Sequence, residues 1–390
     1  MPLLEGLRVV EVALLAPNQL GMHLADLGAD VVKVEEPGRG DYTRNVGRTR
    51  LGGVSMLHVR WNRGKRSIAL DLRHPEGAAV FRDLVATSEV VIEGLRAGAL
   101  ARRGLGYDDL AAVNPALVFV SLSGFGQTGP YRDLATHGVA YDAFAGLAAP
   151  ERTDDGFLAI PHRYFDIGTQ AGALYATAGV LAAVLHARAT GRGTWLDVAQ
   201  ADAAVAWNAS RIDPYLVGVE TEAVPESGGM AAAVRYQYYD TADGRSVLFQ
   251  ASERHFFERF CRAVDREDLL SPGDGAEHGE HARGDVALRW ELAAIFVTRS
   301  QAEWVAFFLD HDVPGGPVHR PGELVDDPQF QARFAPAGPG TLRTPVHTGD
   351  TGSPGRPAPE LGEHTDEVLR ELLGYDGDRV GALRVAGVVA

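Results

Sequence analysis

Apolar and polar positions alternate in a regular order through the first half of the chain. Residues 7–12 (LRVVEV) form an apolar run of strand length, 13–19 a loop, and 20–27 a helix with its stop signal at Gly28. Residues 30–34 (DVVKV) are the next strand. A strand, loop, helix and strand in that order make a βαβ unit, which predicts a parallel sheet with right-handed crossovers. The same pattern predicts strands at 66–72, 90–92, 117–122 and 194–199. It predicts helices at 75–86, 97–103, 107–113, 172–187 and 200–209. The run at 118–122 is apolar throughout, as in a strand buried on both faces. Residues 35–64 read as a long glycine- and arginine-rich loop with a short apolar piece at 54–57.

The second half has a different rhythm. Residues 214–229 have no period and read as a linker. Two β-rich runs around Ala242-Asp243-Gly244 make 236–251 a hairpin. Ser252 is placed to cap the helix SERHFFERFCRAV, and 288–296 and 302–311 are two more helices. This is a smaller α+β unit. Residues 336–359 are rich in proline and glycine and are expected to lie over the surface, and 363–373 form a closing helix.

Composition narrows the function classes. The chain has 390 residues, enough for more than one domain. A hydrophobic content of 45% and a mean hydropathy of −0.09 describe a water-soluble protein. No run reaches the roughly 18 apolar residues of a membrane span, and the N-terminus has no basic n-region, so a signal peptide is not expected. The single cysteine, Cys261, lies in an amphipathic helix, where a buried core thiol is expected, and a reducing cytoplasm fits. A net charge of −15 argues against a nucleic-acid partner. Local clusters such as Arg60–Arg66 still leave room for a small anion. His278 and His281 find no third convergent ligand, so no metal site is expected.

The chemistry concentrates in residues 121–193. Gly124, Gly126 and Gly129 allow a tight turn and close backbone approach after a strand. His137 stands in weakly polar surroundings, and Asp166 follows Tyr164 and Phe165 just ahead of an alanine-rich helix. An acidic residue there is either a helix cap or a nucleophile or base. The first βα loop lacks G-x-G-x-x-G, so no dinucleotide fingerprint is present.

Seven stretches in one order resemble the family III CoA-transferases, which include formyl-CoA transferase, carnitine CoA-transferase and the alpha-methylacyl-CoA racemases. They are LEGLRVVEV, LADLGADVVKVEEPGRGDYTR, NRGKRSIALDL, EGLRAGALARRGLGYDDL, GFGQTGPY, ARATGRGTWLDVAQADA and PAPELGEHTDEVLRELLGY. The resemblance implies an α/β fold: a Rossmann-like large domain built from both chain ends, a smaller α+β domain, and an interlocked homodimer. The implied division is 1–213 for the first part of the large domain, 214–229 for a linker, 230–325 for the small domain, and 326–390 for the returning segment. It implies an acyl-CoA and a small carboxylic acid as substrates, with coenzyme A as the carried group and no metal.

Residue by residue, the resemblance makes Asp166 the nucleophile that attacks the thioester. It points to coenzyme A contacts at Leu15, Ala16, Leu72, Arg73, Arg96, Arg102, His137, Gly138 and Tyr141. Loop amides around Gly124–Gly129 are expected to stabilise oxyanions. The racemase branch offers an alternative in which His137 and Asp166 flank the α-carbon, with Glu253 as a third matching position. Gly138 stands where racemases have an aspartate. A further alternative is a catalytically inactive coenzyme A-binding member. Two departures support it: Gln170 stands where the family has glycine, with Gly172 two residues on, and Glu36 stands where many relatives have arginine.

Overall fold

The computed structural model describes residues 2–219, 229–270, 281–334, 341–342, 344–347 and 356–390. The chain divides into two compact units. The larger takes Met1–Val217 and Phe334–Ala390, the smaller Gly218–Arg333.

The larger unit is built on six strands: β1 (Arg8–Ala13), β2 (Asp30–Glu35), β3 (Arg66–Ala69), β4 (Val90–Gly94), β5 (Val118–Ser123) and β6 (Thr194–Ala199). All pair in parallel, in the order β6-β5-β4-β1-β2-β3. That is the strand order of doubly wound nucleotide-binding sheets. Its topological switch point lies between β1 and β4, where such sheets place ligands beyond the carboxyl ends of the strands.

Alternate residues feed the two faces. Val9, Val31, Val90 and Val118 pack with Leu20 and Leu24 of α1 (Asn18–Asp26) on one side. Val10, Val32, Val91 and Phe119 pack on the other, against Phe81 and Leu84 of the helix Pro75–Ala86. The C-terminal segment joins this second face through Val368, Leu369, Leu383 and Val388. Val388 O accepts the Asp71 N–H at 2.9 Å, and Leu70 bridges to Val389.

Several expectations need correction. The loop expected at 35–64 contains α2 (Met56–Trp61), which Ser55 caps by accepting from Leu57 N–H at 3.1 Å. With it in place, Pro75–Ala86 is α3. The helix expected at 97–103 is a single 3-10 turn, Ala101–Arg103. Gly98 has φ +67°, and the Leu100 N–H is bound by the Glu93 carboxylate at 2.8 Å instead of a helical carbonyl. The helix expected from 172 begins five residues earlier: α4 (Val139–Phe144) is followed by α5 (Ile167–Thr190) and α6 (Gln200–Trp207). By length and composition α5 could cross a membrane, yet 56% of its most apolar window is buried, on the face that meets the sheet.

The linker expected at 214–229 starts inside a helix, Ala209–Leu216, and its residues 220–228 lie outside the described residues. His278 also lies outside them, as do 335–340, 343 and 348–355 of the segment expected over the surface. The closing helix expected at 363–373 is shorter and irregular, with Thr365–Glu367 running into a π turn at Val368–Leu372.

The smaller unit has a three-stranded antiparallel sheet of Gln237–Asp240, Ser246–Phe249 and Gly315–Val318. The hairpin was readable in the sequence; the third strand, with its GGP start, was not. Three helices cover the sheet: α7 (Arg254–Ala263), α8 (Val286–Phe296) and α9 (Gln301–His311). Glu253, not Ser252, occupies the N-cap of α7, and it makes no capping bond. Cys261 is buried among Phe249, Phe260 and Phe296 in an aromatic core. In the larger unit a last helix, α10 (Gly377–Val385), ends the fold.

Candidate active site

Asp166 stands at the N-cap of α5, yet its side chain makes no capping bond. The cap comes from elsewhere. Asp142, on α4 and fully buried, accepts from Gly168 N–H at 2.9 Å through Oδ1 and from Tyr164 Oη at 2.6 Å through Oδ2. That satisfies one of the orphan donors at the helix start. Gly168 fits because a Cβ there would lie 2.9 Å from Tyr141 Cβ. Asp166 is thus left at the positive end of a 24-residue helix whose Gly168 N–H is satisfied by another residue, with Thr169 and Tyr164 near enough to steady its carboxylate. Its Oδ1 is buried and lacks a hydrogen-bond partner among the described residues. Burial pushes the Asp166 carboxyl above its ordinary value and the nearby Asp142 charge adds to this, while Thr169 and Tyr164 oppose it.

The segment ahead of α4 meets Asp166 through Gly138. Gly138 has φ +29°, and a Cβ built on it would lie 3.7 Å from Asp166 Oδ2. Tyr141 is buried behind it, its hydroxyl donating to Thr136 O at 3.2 Å. Burial raises the Tyr141 phenol. The structure therefore brings Gly138, Tyr141 and Asp166 together. The His137 side chain is exposed and makes no hydrogen bond to the described residues. Gln170 is also exposed, on the first turn of α5. Gly172 lets α5 approach α6, since a Cβ there would meet Gln200 Cγ at 3.0 Å.

The glycine turn behaves differently from expectation. The amide of Gln127 is bound by both carboxylate oxygens of Asp197, at 3.1 and 3.0 Å. It is therefore not open to an oxyanion. Gln127 Oε1 accepts from Gly98 N–H at 3.0 Å, which ties this turn to the loop after β4.

Leu15 and Ala16 lie at the switch point, in the loop between β1 and α1. Gly94, at the end of β4, leaves the space there: a Cβ on it would meet Pro17 and Ala13. The Leu15 N–H is already used, donating to Thr43 Oγ1 at 3.1 Å. The Ala16 N–H has no partner among the described residues.

An open groove of about 490 Å³ gathers Leu72, Arg73 and Arg102 with His74, Arg82 and Arg103. Arg82, Arg102 and Arg103 donate to the carbonyls of Gly104, Ala97 and Ala99. None of these three has a carboxylate partner among the described residues, so their charge is available to phosphate oxygens. Arg73 is different. It is paired with Glu36 and with Asp71, the latter at 3.1 Å. Arg96 is exposed and does not line the groove. Glu253 is exposed in the smaller unit.

Sequence reasoning missed Asp142, Arg82, Arg103 and Thr43. An aspartate inside the apolar run VAYDAF was a visible sign for Asp142, since a carboxylate on such a helix needs a partner. Arg103 stood beside Arg102 in ARRG; nothing local marked Arg82 or Thr43.

The sequence pattern of CoA-transferase family III matches residues 4–365. The chain is 33% identical to succinyl-CoA--D-citramalate CoA-transferase of Chloroflexus aurantiacus, over 99% of this chain and 98% of that one. It is 34% identical to succinate--glutarate CoA-transferase of Agrobacterium fabrum, over 95% and 96%. Identity to the human succinyl-CoA:glutarate CoA-transferase is 31%, over 99% and 90%. Among solved structures, a CAIB/BAIF family protein from Brucella suis superposes with a TM-score of 0.75 at 31% identity, covering 94% of this chain and 98% of that one.

Proposed function

The chain belongs to CoA-transferase family III and moves coenzyme A between an acyl-CoA and a carboxylate, and from that premise we propose that Asp166 is the covalent nucleophile of the transfer. The observation that carries this reading is the desolvated Asp166 carboxylate, its Oδ1 buried and without a partner among the described residues, at a helix N-terminus where Asp142 accepts the Gly168 N–H. A carboxylate in water is a weak nucleophile; loss of hydration and of hydrogen bonds raises its reactivity.

The reaction splits into balanced exchanges. Asp166 attacks the thioester carbonyl, the C–S bond breaks, and coenzyme A leaves as thiolate from an aspartyl–acyl anhydride. The thiolate attacks the aspartyl carbonyl, releasing the donor acid and forming an aspartyl–coenzyme A thioester. The acceptor carboxylate then attacks that thioester. The released thiolate finally takes the acceptor acyl group from the second anhydride and restores Asp166. No oxidant or net proton is needed. The groove at Arg82, Arg102 and Arg103 suits the phosphates of coenzyme A, and the loop at Ala16 lies at the switch point where such sheets bind nucleotides. The relatives named for succinyl-CoA with glutarate or D-citramalate make succinyl-CoA and a dicarboxylic acid the first substrates to try.

Both departures that suggested lost activity have local explanations that leave the reading intact: Gln170 is solvent-facing, and Glu36 pairs with Arg73. The outward face of α5 carries Leu174, Tyr175 and Leu185, which are 49%, 48% and 71% exposed. That apolar surface suits a second copy of the chain, so a homodimer, interlocked in the manner the resemblance implies, is part of the proposal.

A racemase reading rests on the adjacency of His137 to Gly138, which touches the Asp166 carboxylate zone. One experiment separates the two. The protein is incubated with succinyl-CoA and with 2-methylacyl-CoA in deuterated water, with and without glutarate. Acceptor-dependent thioester exchange without α-deuterium supports the transferase. Acceptor-independent α-deuterium overturns it in favour of the racemase.

A further inference from the structure

Leu15 has φ +57°. A branched L-residue in the left-handed region costs about 1–2 kcal/mol and persists only where surrounding contacts impose it. The contacts here come from a network with no solvent exposure. Thr43 Oγ1 accepts the Leu15 N–H at 3.1 Å, and its hydroxyl donates to Asp41 Oδ1 at 2.5 Å. Asp41 also accepts from Thr43 N–H at 2.9 Å and, through Oδ2, from Asn18 Nδ2 at 2.5 Å. Lys33 Nζ, 3.0 Å from Asp41 Oδ2, donates to Asn18 Oδ1 at 2.6 Å and to Ala13 O at 2.9 Å. Asn18, Lys33, Asp41 and Thr43 are all 0% exposed.

The network therefore grips the β1–α1 loop at three points: the carbonyl where it leaves the strand, the amide of its strained residue, and the side chain where the helix begins. A loop held this way presents one fixed backbone shape at the switch point, and the next amide, that of Ala16, has no partner among the described residues. Preorganised amides bind a ligand without an ordering cost.

We propose that Thr43, held by Asp41, is a positioning residue for coenzyme A: through the Leu15 amide it fixes the loop that offers Ala16 N–H to the ligand. This rests on the reading that the loop faces coenzyme A. Thr43 touches no reacting atom, so its effect falls on ligand affinity and on KM for acyl-CoA, with little change in kcat.

The test uses the full-length protein. In the wild type, coenzyme A slows amide hydrogen exchange in peptides covering residues 13–19. Absence of that protection overturns the assignment of this loop to coenzyme A, whatever Thr43 does. Given protection, Thr43→Val keeps the shape, removes the hydroxyl, and lowers coenzyme A affinity by about tenfold in calorimetry, with KM rising by a similar factor. Thr43→Ser restores affinity to within about twofold of wild type. Wild-type affinity in a folded Thr43→Val protein overturns the positioning role. Should Thr43→Val not fold, Thr43→Ala and Thr43→Ser are compared instead. The serine variant then binds at least about fivefold tighter, and equal affinity overturns the proposal.

Discussion

Asp142 Oδ1 accepts the Gly168 N–H at 2.9 Å, so the helix that Asp166 introduces is capped by a residue from another helix. Two acidic residues meet one helix end in different roles. The buried one does structural work, and the other keeps an oxygen without a partner. Asp142→Ala removes the cap and strands the Tyr164 hydroxyl, and should lower stability by about 2 kcal/mol in urea unfolding. Asp142→Asn retains an acceptor for Gly168 and should lose less. It also removes a negative charge that raises Asp166, so the acid limb of its kcat/KM profile should move to lower pH. An unmoved limb would show that the two carboxylates are not coupled.

Asp166→Asn should reduce transferase turnover by at least about a thousandfold while leaving coenzyme A affinity within about threefold. The same variant tests the cost of burying the charge. A carboxyl whose folded pKa lies above its unfolded value contributes stability at low pH, and that contribution is lost as pH rises through the folded pKa. At pH 7 the asparagine variant should therefore melt higher than wild type, with the gap closing as pH falls toward 3.8, the ordinary aspartate value. Hydroxylamine trapping of the wild type during turnover should label Asp166 alone. A label on another residue in an active enzyme would remove its assigned role.

The strand pattern was legible because the central strands of this parallel sheet are apolar runs, and all six strands, including the half-exposed edge strand β6, were found within a few residues of their ends. What was not legible depends on contacts between distant segments. The start of α5 depends on Asp142, 25 residues upstream of Ile167 (167 − 142). The 3-10 turn at Ala101–Arg103 depends on Glu93 reaching the Leu100 amide. Asp166 as nucleophile and Gly138 and Tyr141 as coenzyme A contacts were separate expectations from the resemblance; that the three adjoin was not legible, because it depends on how the segment ahead of α4 meets the start of α5. Thr43 and Arg82 were missed because neither stands in a locally unusual sequence. Their roles exist only once β2, α3 and the loops after β1 and β4 are brought together.

His137 separates the two reactions. Its side chain is exposed and unbonded among the described residues, so nothing in the fold holds it in place for proton transfer. His137→Ala should keep acceptor-dependent transfer within about tenfold of wild type. A proton-transferring histidine would contribute on the order of a hundredfold or more. A loss of that size, with α-deuterium exchange abolished, would move the assignment to the racemase.

Arginines in the groove should not be equivalent. Arg102→Ala and Arg103→Ala remove charges with no acidic partner, and each should weaken coenzyme A binding by about three- to tenfold, with a steeper loss at low salt. Arg73→Ala should cost less than about threefold, because Glu36 and Asp71 already engage that guanidinium. Glu36→Ala should then tighten binding modestly, since it frees the Arg73 guanidinium of one of its two acidic partners and leaves Asp71. If Arg73→Ala proves the most damaging of the three, the Glu36 pair opens on binding and the groove must be reassigned.

The buried ion network beside the loop sets the acid stability and the cost of breaking any one pair. Burial opposes ionisation of Glu35, but Lys33, Arg44 and Ser67 outweigh it and hold its carboxyl below the ordinary value; Lys33, Thr43 and Asn18 do the same for Asp41. Carboxyls depressed in the fold contribute stability above their unfolded pKa values, 4.5 and 3.8, which is lost as pH falls below them. Stability from these groups should be flat from about pH 5.5 upward and decline below about pH 4.5. Lys65 Nζ lies 2.6 Å from Glu11 Oε2, both side chains fully buried, and Glu11 Oε1 already lacks a partner. Lys65→Met leaves that carboxylate with Lys33 Nζ alone, 3.8 Å from Oε2, to offset its charge and should cost about 3 kcal/mol. Replacing both, as Glu11→Leu with Lys65→Met, removes the under-compensated charge while Lys33 keeps Asp41 at 3.0 Å, and should recover most of the loss, because a buried pair differs little in net stability from an apolar pair of similar volume. Chemical denaturation of the three variants decides it. A double variant no more stable than Lys65→Met alone would show that the ammonium matters for its bonds to Asn18 O and Asn62 Oδ1 rather than for neutralising Glu11.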